Sequence, residues 1–351
     1  MPLEGTYDVS IVLPVCNAAL WLEECLRSVC DQDFQGSLEL SIYDDASQDD
    51  SRAIIERCSP ALAERGIRVV ISENKSGMPS GVGFAKNRAV EQSQGSHLCF
   101  LDADDVMATM RVRLQLAAAS VRSRHTLLGC QVRRLPEAST QRYVQWANST
   151  TPEQLHLQAY TSHGPTLLMP TWFCARELYD AVGGFSEAGK GTPEDLIFFL
   201  RHLELGGQLH RVDHVLLMYR YHQGGATFSV LEDTIWDVRL RALETAVLSK
   251  WKEFTIWNAG KQGRKLYRSL SVENRNKVMS FCDVDKKKIA KGVYTHEEST
   301  CLPRPRVPIV HFTEAKPPFV ICVKMDLTGG IFEKNLASLN LMEGRDYIHF
   351  N

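Results

Sequence analysis

Residues 97–105 read HLCFLDADD, an unbroken apolar run that ends abruptly in Asp102-Ala103-Asp104-Asp105. A continuous apolar run without alternation is what a strand covered on both faces requires. VSIVL (9–13) is another such run, and LELSIY (38–43) and IRVVI (67–71) read as two further strands. Helical patterns separate them. Leu22, Cys25, Leu26 and Val29 fall on one stripe, as do Ile54, Ile55, Cys58 and Leu62, with Asp49 or Asp50 available as a cap. GVGFAKNRAVEQSQG (81–95) reads as a glycine turn entering a helix. Strands alternating with helices of this length imply crossover connections and an α/β fold with a mainly parallel, mixed sheet. In such sheets ligands sit beyond the carboxyl ends of strands, where the strand order switches. Asp44-Asp45 and Asp102–Asp105 both stand at strand carboxyl ends, which makes them the first candidate site residues.

Downstream the pattern is mixed. Strands are expected at 126–132 and 165–170, a helix at 193–205 and a hairpin-like return over 208–221. Trp236–Lys252 reads as a connecting helix. FTIW (254–257), VMSFCDVD (278–285), VPIVHF (307–312) and PPFVICV (317–323) then form a second α/β series. The expected division is a first domain over 1–245 and a smaller Rossmann-like domain over 246–351.

The 351 residues carry 40 Lys and Arg against 42 Asp and Glu, a net charge of −2 that hides strong local imbalance. Residues 1–60 hold 12 acids against 3 bases; residues 111–142 hold 7 arginines against Glu137 alone; residues 250–291 hold 12 bases against 4 acids. An acidic front suits a metal or sugar site, and basic tracts suit an anionic partner. Ten scattered cysteines without a Cys-x-x-Cys pair exclude a disulfide framework and a structural zinc site. The start MPLEGTYDVSIVLPV is not a secretory signal, and no apolar run approaches the ~20 residues of a bilayer span. A cytoplasmic protein is expected.

Six segments carry a family likeness: VSIVLPVCNAALWLEECLRSVCDQ (9–32), YDDASQDDS (43–51), AKN (85–87), FLDADD (100–105), EDLIFFLRHLELGG (194–207) and YRYHQGGATFS (219–229). In this order the chain resembles the family 2 glycosyltransferases of the GT-A fold. That resemblance implies transfer of a sugar from a nucleotide diphosphate donor. A departing diphosphate needs cationic help, and aspartate oxygens suit Mn²⁺ or Mg²⁺. The resemblance makes Asp104 the first metal ligand, has Asp102 share the ion or hold the ribose, and brings His222 back to complete the shell. It gives Asp44 the uracil imino proton, hence a UDP-sugar, and places Pro14, Val15 and Asn17 against base and ribose. Gly83 would let the backbone approach the nucleotide. Lys86 stands where the family has arginine, and Asn87 and Ala103 complete the donor set. Displacement with inversion needs one carboxylate base, which falls to Asp195; Trp172 and Glu194 become acceptor contacts. Plainer readings stand beside these: a solvated acidic turn at 102–105, acids that merely favour a helix start at 194–195, a packed histidine at 222 and core aromatics at 172–173.

Residues 80–229 and FTIWNAGKQGRKLYRSL (254–270) resemble, more narrowly, a branch of that family acting on the tRNA nucleoside queuosine. This implies β-galactosyl transfer from UDP-galactose to queuosine in the anticodon of cytosolic tRNA-Tyr. The alternative is a UDP-GlcNAc-dependent β-1,3-N-acetylglucosaminyltransferase acting on a β-galactoside glycan. Trp257–Gly263 has the form of a dinucleotide-binding turn, but Asn258 replaces its first glycine. The bases of this region (Lys261, Arg264, Lys265, Arg268, Lys286, Lys287 and Lys288) are therefore read as a possible tRNA contact.

Overall fold

The computed structural model describes residues 7–137, 139–225, 229–325 and 327–351; positions 226–228 of the closing YRYHQGGATFS segment lie outside them. The chain falls into two units, Met1–His156 with Pro165–Ile235, and Leu157–Gly164 with Trp236–Asn351. The single boundary expected near 245 thus gives way to a cut before Trp236 and a short excursion at 157–164. Trp236 explains the cut: its buried ring packs edge-on against Phe350 at 4.8 Å, inside the second unit.

The strands of the first unit are β1 (Tyr7–Val15), β2 (Leu38–Asp44), β3 (Arg68–Glu73), β4 (Gly95–Phe100), β5 (Val106–Met107), β6 (Thr126–Leu135), β7 (Phe173–Ala175) and β8 (Gln208–Arg220). Its helices are α1 (Ala19–Cys30), α2 (Ser51–Glu64), α3 (Val82–Glu91), α4 (Arg111–Ser120), α5 (Gln141–Ser149), α6 (Pro152–Leu157), α7 (Arg176–Val182) and α8 (Glu194–Glu204). The eight strands make one mixed sheet in the order β3-β2-β1-β4-β7-β6-β8-β5. β1 pairs in parallel with both β2 and β4, so the order switches at β1, beside the two acidic clusters. Asp49 ties the helix starts together: Oδ2 accepts from Ala19 N (2.9 Å) and Oδ1 from Ser51 N (3.0 Å).

Two expectations fail here. The apolar stretch 165–170 is not a strand; it runs into a 3₁₀ turn over Met169–Thr171, and the strand is the three residues that follow Trp172. The return over 208–221 is not a hairpin but the single strand β8, parallel to β6, with register shifts near Cys130–Val132 where residues 213, 214 and 216 drop out of the pairing. Behind the sheet Trp172, fully buried, meets the rings of Phe185 (6.2 Å), Phe198 (5.4 Å) and Phe199 (6.3 Å). Trp172→Ala is expected to cost about 3–5 kcal/mol of stability; urea unfolding with an unchanged m-value checks this.

The second unit holds a six-stranded sheet: β9 (Phe254–Trp257), β10 (Val278–Asp283), β11 (Val293–Thr295), β12 (Arg306–His311), β13 (Phe319–Ile321) and β14 (Tyr347–His349), in the order β11-β12-β10-β9-β13-β14. All pair in parallel except β11 with β12. Trp257, Phe312, Phe319 and Phe332 form its core with Cys282 and Ile321. Every cysteine of the chain is a free thiol. Among the described residues no helix is long and apolar enough to cross a membrane.

Candidate active site

Beyond β1 and β2 the backbone makes two linked loops. Pro14 and Val15 are buried strand residues paired with Tyr43 and Asp44, so what they offer a ligand is mainly backbone. Asp44 is buried; its Oδ1 accepts from Ser47 N at 3.0 Å, and its Oδ2 has no hydrogen bond among the described residues. Ala46 takes the left-handed conformation (φ 58°) that glycine adopts without strain. Asn17, also left-handed (φ 51°), receives Gln48 N on its Oδ1 at 2.7 Å, while its own N–H reaches Ser47 Oγ at 2.9 Å. Its amide oxygen thus binds the neighbouring loop. Asp45, which carries no role in the family likeness, fastens the loop before α3: its carboxylate accepts from Asn74 Nδ2 (2.8 Å), Ser80 N (3.0 Å) and Gly81 N (2.8 Å).

Three residues of the expected donor set, all on α3, have protein partners. Gly83 faces protein rather than an open cleft: a Cβ there would stand 2.2 Å from the Ser186 carbonyl oxygen. Asn87 is a clamp on the 185–187 turn. Its Nδ2 donates to Phe185 O (2.9 Å) and Glu187 Oε1 (2.7 Å), and its Oδ1 accepts from Tyr179 OH (2.6 Å) and Phe185 N (2.9 Å). All its polar atoms are used. Lys86 is buried with its Nζ 2.8 Å from Glu194 Oε1, so the lysine and the glutamate meet each other across α3 and α8. Burial works against the ammonium, but Glu194 and then Asp102 outweigh it and hold its pKa above the usual lysine value.

This buried pair sits at the first turn of α8, beside Asp195. Loss of water, followed by the charge of Glu194, pushes the Asp195 carboxyl up to about 6, against the pull of Lys86. Asp102 is pushed up to about 7, mainly by burial, with Lys86 opposing and Asp104, Glu194 and Asp195 reinforcing. Lys86, Glu194, Asp195 and Asp102 therefore form one electrostatic group.

Asp104 Oδ2 lies 2.7 Å from His222 Nε2, which joins the loop after β4 to the chain leaving β8. Asp102, Asp104 and Asp105 bring one carboxylate oxygen each within 4.8 Å of one another. Hard oxygen donors with one imidazole nitrogen suit Mn²⁺ or Mg²⁺, and the buried Asp105 Oδ2 finds no hydrogen-bond partner among the described residues, so the residues fit a divalent ion. Asp102, Asp104 and His222 would hold it. Ala103 is buried between the two aspartates. The sequence reading missed Arg220, which binds the Asp104 carbonyl oxygen through Nε at 2.8 Å; it stands in the quoted YRYH segment, two residues before the histidine, and that adjacency was the available signal.

Other expectations yield to packing. Trp172 cannot meet an acceptor: it is fully buried and its indole N–H donates to Leu167 O at 2.9 Å; Phe173 is equally enclosed. The arginines of 111–142 are largely consumed. Arg111 is buried and donates to Phe100 O and Pro170 O (both 2.8 Å), Arg113 pairs with Asp33, Arg124 with Glu177, and Arg134 stacks 3.8 Å above Tyr219. In the second unit Lys288 pairs with Asp283 at 2.9 Å, Arg268 with Glu298 at 3.6 Å, Arg264 lies over Tyr294 and Lys265 over Trp236. Lys261, Lys286 and Lys287 are exposed and carry no ion pair among the described residues. At the dinucleotide-like turn Asn258 sits at φ 125° and its side chain ties the turn to Cys322 O and Gly260 N. Asp283, at the end of β10, accepts from Ala259 N and Lys288 Nζ.

A sheet switching order at β1, with strand-end aspartates and a returning histidine, defines a nucleotide-sugar-binding domain of the GT-A type. Residues 10–183 match the family Glycosyl transferase family 2, and the chain carries a glycosyltransferase domain of that family. TuaG of Bacillus subtilis, named for a glycosyltransferase role in teichuronic acid biosynthesis, is 35% identical over 115 residues, 33% of this chain and 43% of its own. The Staphylococcus aureus poly(ribitol-phosphate) β-N-acetylglucosaminyltransferase TarS is 30% identical over 118 residues, 33% of this chain and 19% of its own. The crystal structure of TarS residues 1–349 in complex with UDP-GlcNAc superposes with a TM-score of 0.52 at 18% identity, covering 76% of this chain and 71% of that one. This establishes the shared fold. The chain spans less than half the length of the curated relatives it matches.

Proposed function

We propose that the chain is an inverting, metal-dependent glycosyltransferase of the cytoplasm that moves galactose from UDP-galactose to queuosine in tRNA-Tyr. The observation that carries the chemistry is the pairing of Asp104 with His222 on one side of the site and a carboxyl raised to about 6, Asp195, in the same electrostatic group as Asp102. Asp44 holds the base. A bound divalent ion would neutralise the diphosphate as it leaves. Asp195 accepts the proton of the acceptor hydroxyl, whose oxygen bonds to the anomeric carbon from the face opposite the diphosphate. The anomeric C–O bond breaks, and UDP departs with its electron pair. Lys86 and Glu194 bind neither donor nor acceptor in this scheme; they hold α8 and the charge balance around the base.

The acceptor rests on the sequence resemblance and on the unpaired, exposed Lys261, Lys286 and Lys287, which suit a polyanion. The second reading is a UDP-GlcNAc-dependent β-1,3-N-acetylglucosaminyltransferase acting on a β-galactoside glycan; its donor is the one with which TarS was crystallised. The deciding experiment incubates the protein and Mn²⁺ with UDP-galactose or UDP-GlcNAc and queuosine-containing tRNA, digests the tRNA and weighs the nucleosides. Queuosine heavier by one hexose, only with UDP-galactose, is the expected result. Transfer only from UDP-GlcNAc, or only to a glycan, overturns it. Binding to tRNA is expected to fall steeply with salt. Lys286→Glu with Lys287→Glu should weaken it and flatten the salt slope by about one for each phosphate no longer engaged. A filter-binding titration at several salt concentrations measures both.

A further inference from the structure

We propose that Arg220 is a positioning residue for the divalent-metal ligands, setting Asp104 and His222 in register with each other. The proposal rests on the reading of those two residues as the ligands. One guanidinium makes three contacts: Nε donates to Asp104 O at 2.8 Å, Nη2 to Glu24 Oε2 at 2.6 Å, and Cζ lies over the Trp21 ring, 4.2 Å from its centroid. The Arg220 backbone N–H donates to Asp105 Oδ1 at 2.8 Å. Thus the residue grips the backbone of the first ligand and, two positions on along the same chain, carries the second. The Trp21 ring is in turn 5.7 Å from that of His222.

The local fold explains why the grip is tight. β5 pairs antiparallel with β8, Val106 opposite Met218 and Met107 opposite Leu217, and this short ladder ends just where Asp105 and Arg220 meet. Asp105 is fully buried, so the bond to Arg220 N is its link between the two chain segments rather than a solvent contact. Arg220 itself keeps only 13% of its side chain exposed, whereas Glu24 keeps 55%. Arginine suits the place because a planar fork can bond a carbonyl and a carboxylate while stacking on an indole; lysine supplies one point charge. Residues that orient metal ligands from behind typically change metal affinity ~10–100-fold when removed.

The test is Mn²⁺ binding followed by electron paramagnetic resonance in the presence of UDP, for wild type, Asp104→Ala, Arg220→Gln, Arg220→Lys and Glu24→Ala. Metal-free thermal denaturation and transfer rates at rising Mn²⁺ run alongside. Arg220→Gln should bind Mn²⁺ ~10–100-fold more weakly, with a metal-free melting temperature near wild type and a rate that recovers as Mn²⁺ is raised. Arg220→Lys should recover only part of the affinity, and Glu24→Ala, which removes an exposed partner, should change it less than ~3-fold. Wild-type Mn²⁺ affinity in Arg220→Gln, or in Arg220→Lys should the glutamine variant not fold, overturns the proposal. Wild type that binds no Mn²⁺, or Asp104→Ala that binds it equally well, overturns the metal reading instead.

Discussion

Replacing Asp195 by asparagine is expected to slow hexosyl transfer by about 10²–10⁴-fold while UDP binds as before. Asparagine preserves the size of the side chain and its place at the start of α8, but it cannot take a proton. The same carboxyl predicts the pH dependence. Its pKa is pushed up to about 6, and a general base works only when unprotonated. Transfer should therefore fall as pH drops through about 6, and kcat/KM measured from pH 5 to 8 should show a rising limb there that the asparagine variant lacks. What sets this limb is first the burial of the carboxyl and then Glu194 on the same helix, opposed by Lys86 on α3 and by the Leu196 N–H. If Asp195→Asn loses UDP affinity along with activity, the residue supports the helix start and is not the base.

The parts of this site that are legible in the sequence are those written by short-range chemistry. β1, β2 and β4 announce themselves as short strand-like segments rich in apolar residues, and Asp44, Asp102 and Asp104 stand at or just past their ends. What stays hidden depends on partners far along the chain. A glycine at 83 can be read as a close approach, but the atom approached, the Ser186 carbonyl oxygen, is fixed only by the fold. Lys86 and Glu194 each look free until α3 and α8 come together. Trp172 stands next to a catalytic-looking segment, which suggests an acceptor contact, although its neighbours Leu167, Leu168, Met169 and Phe173 already favour a core position. Local charge misleads in the same way: the arginines of 111–142 find carbonyls, acids and rings that no window of sequence contains. Very short strands such as β5 and β7 carry too few residues for any periodicity, and β8 has exposed residues at Asp213-His214 that look like a turn.

Asp104→Asn is expected to lower transfer by about three powers of ten, the several kcal/mol that charge stabilisation at a leaving diphosphate supplies. The substitution is nearly isosteric, and an asparagine can still hydrogen-bond His222, so the link between the loop beyond β4 and the end of β8 is kept. What disappears is one negative charge at the only position that joins the acidic cluster to the imidazole among the described residues. Wild type stripped with a chelator should lose activity to a similar extent and regain it when Mn²⁺ is added back. The asparagine variant should not regain it, at any Mn²⁺ concentration that restores wild type. The pair of measurements separates two readings of the 2.7 Å contact between Asp104 and His222. If it is a structural bond that merely closes the first unit, a chelator leaves the wild-type rate untouched and Asp104→Asn shifts only the unfolding transition. If it is half of a metal site, the two losses coincide and the unfolding transition of the stripped protein barely moves. Because Asp195 lies on a different element, α8, its variant should keep the response to metal binding intact while remaining inactive, which separates loss of the base from loss of the ion.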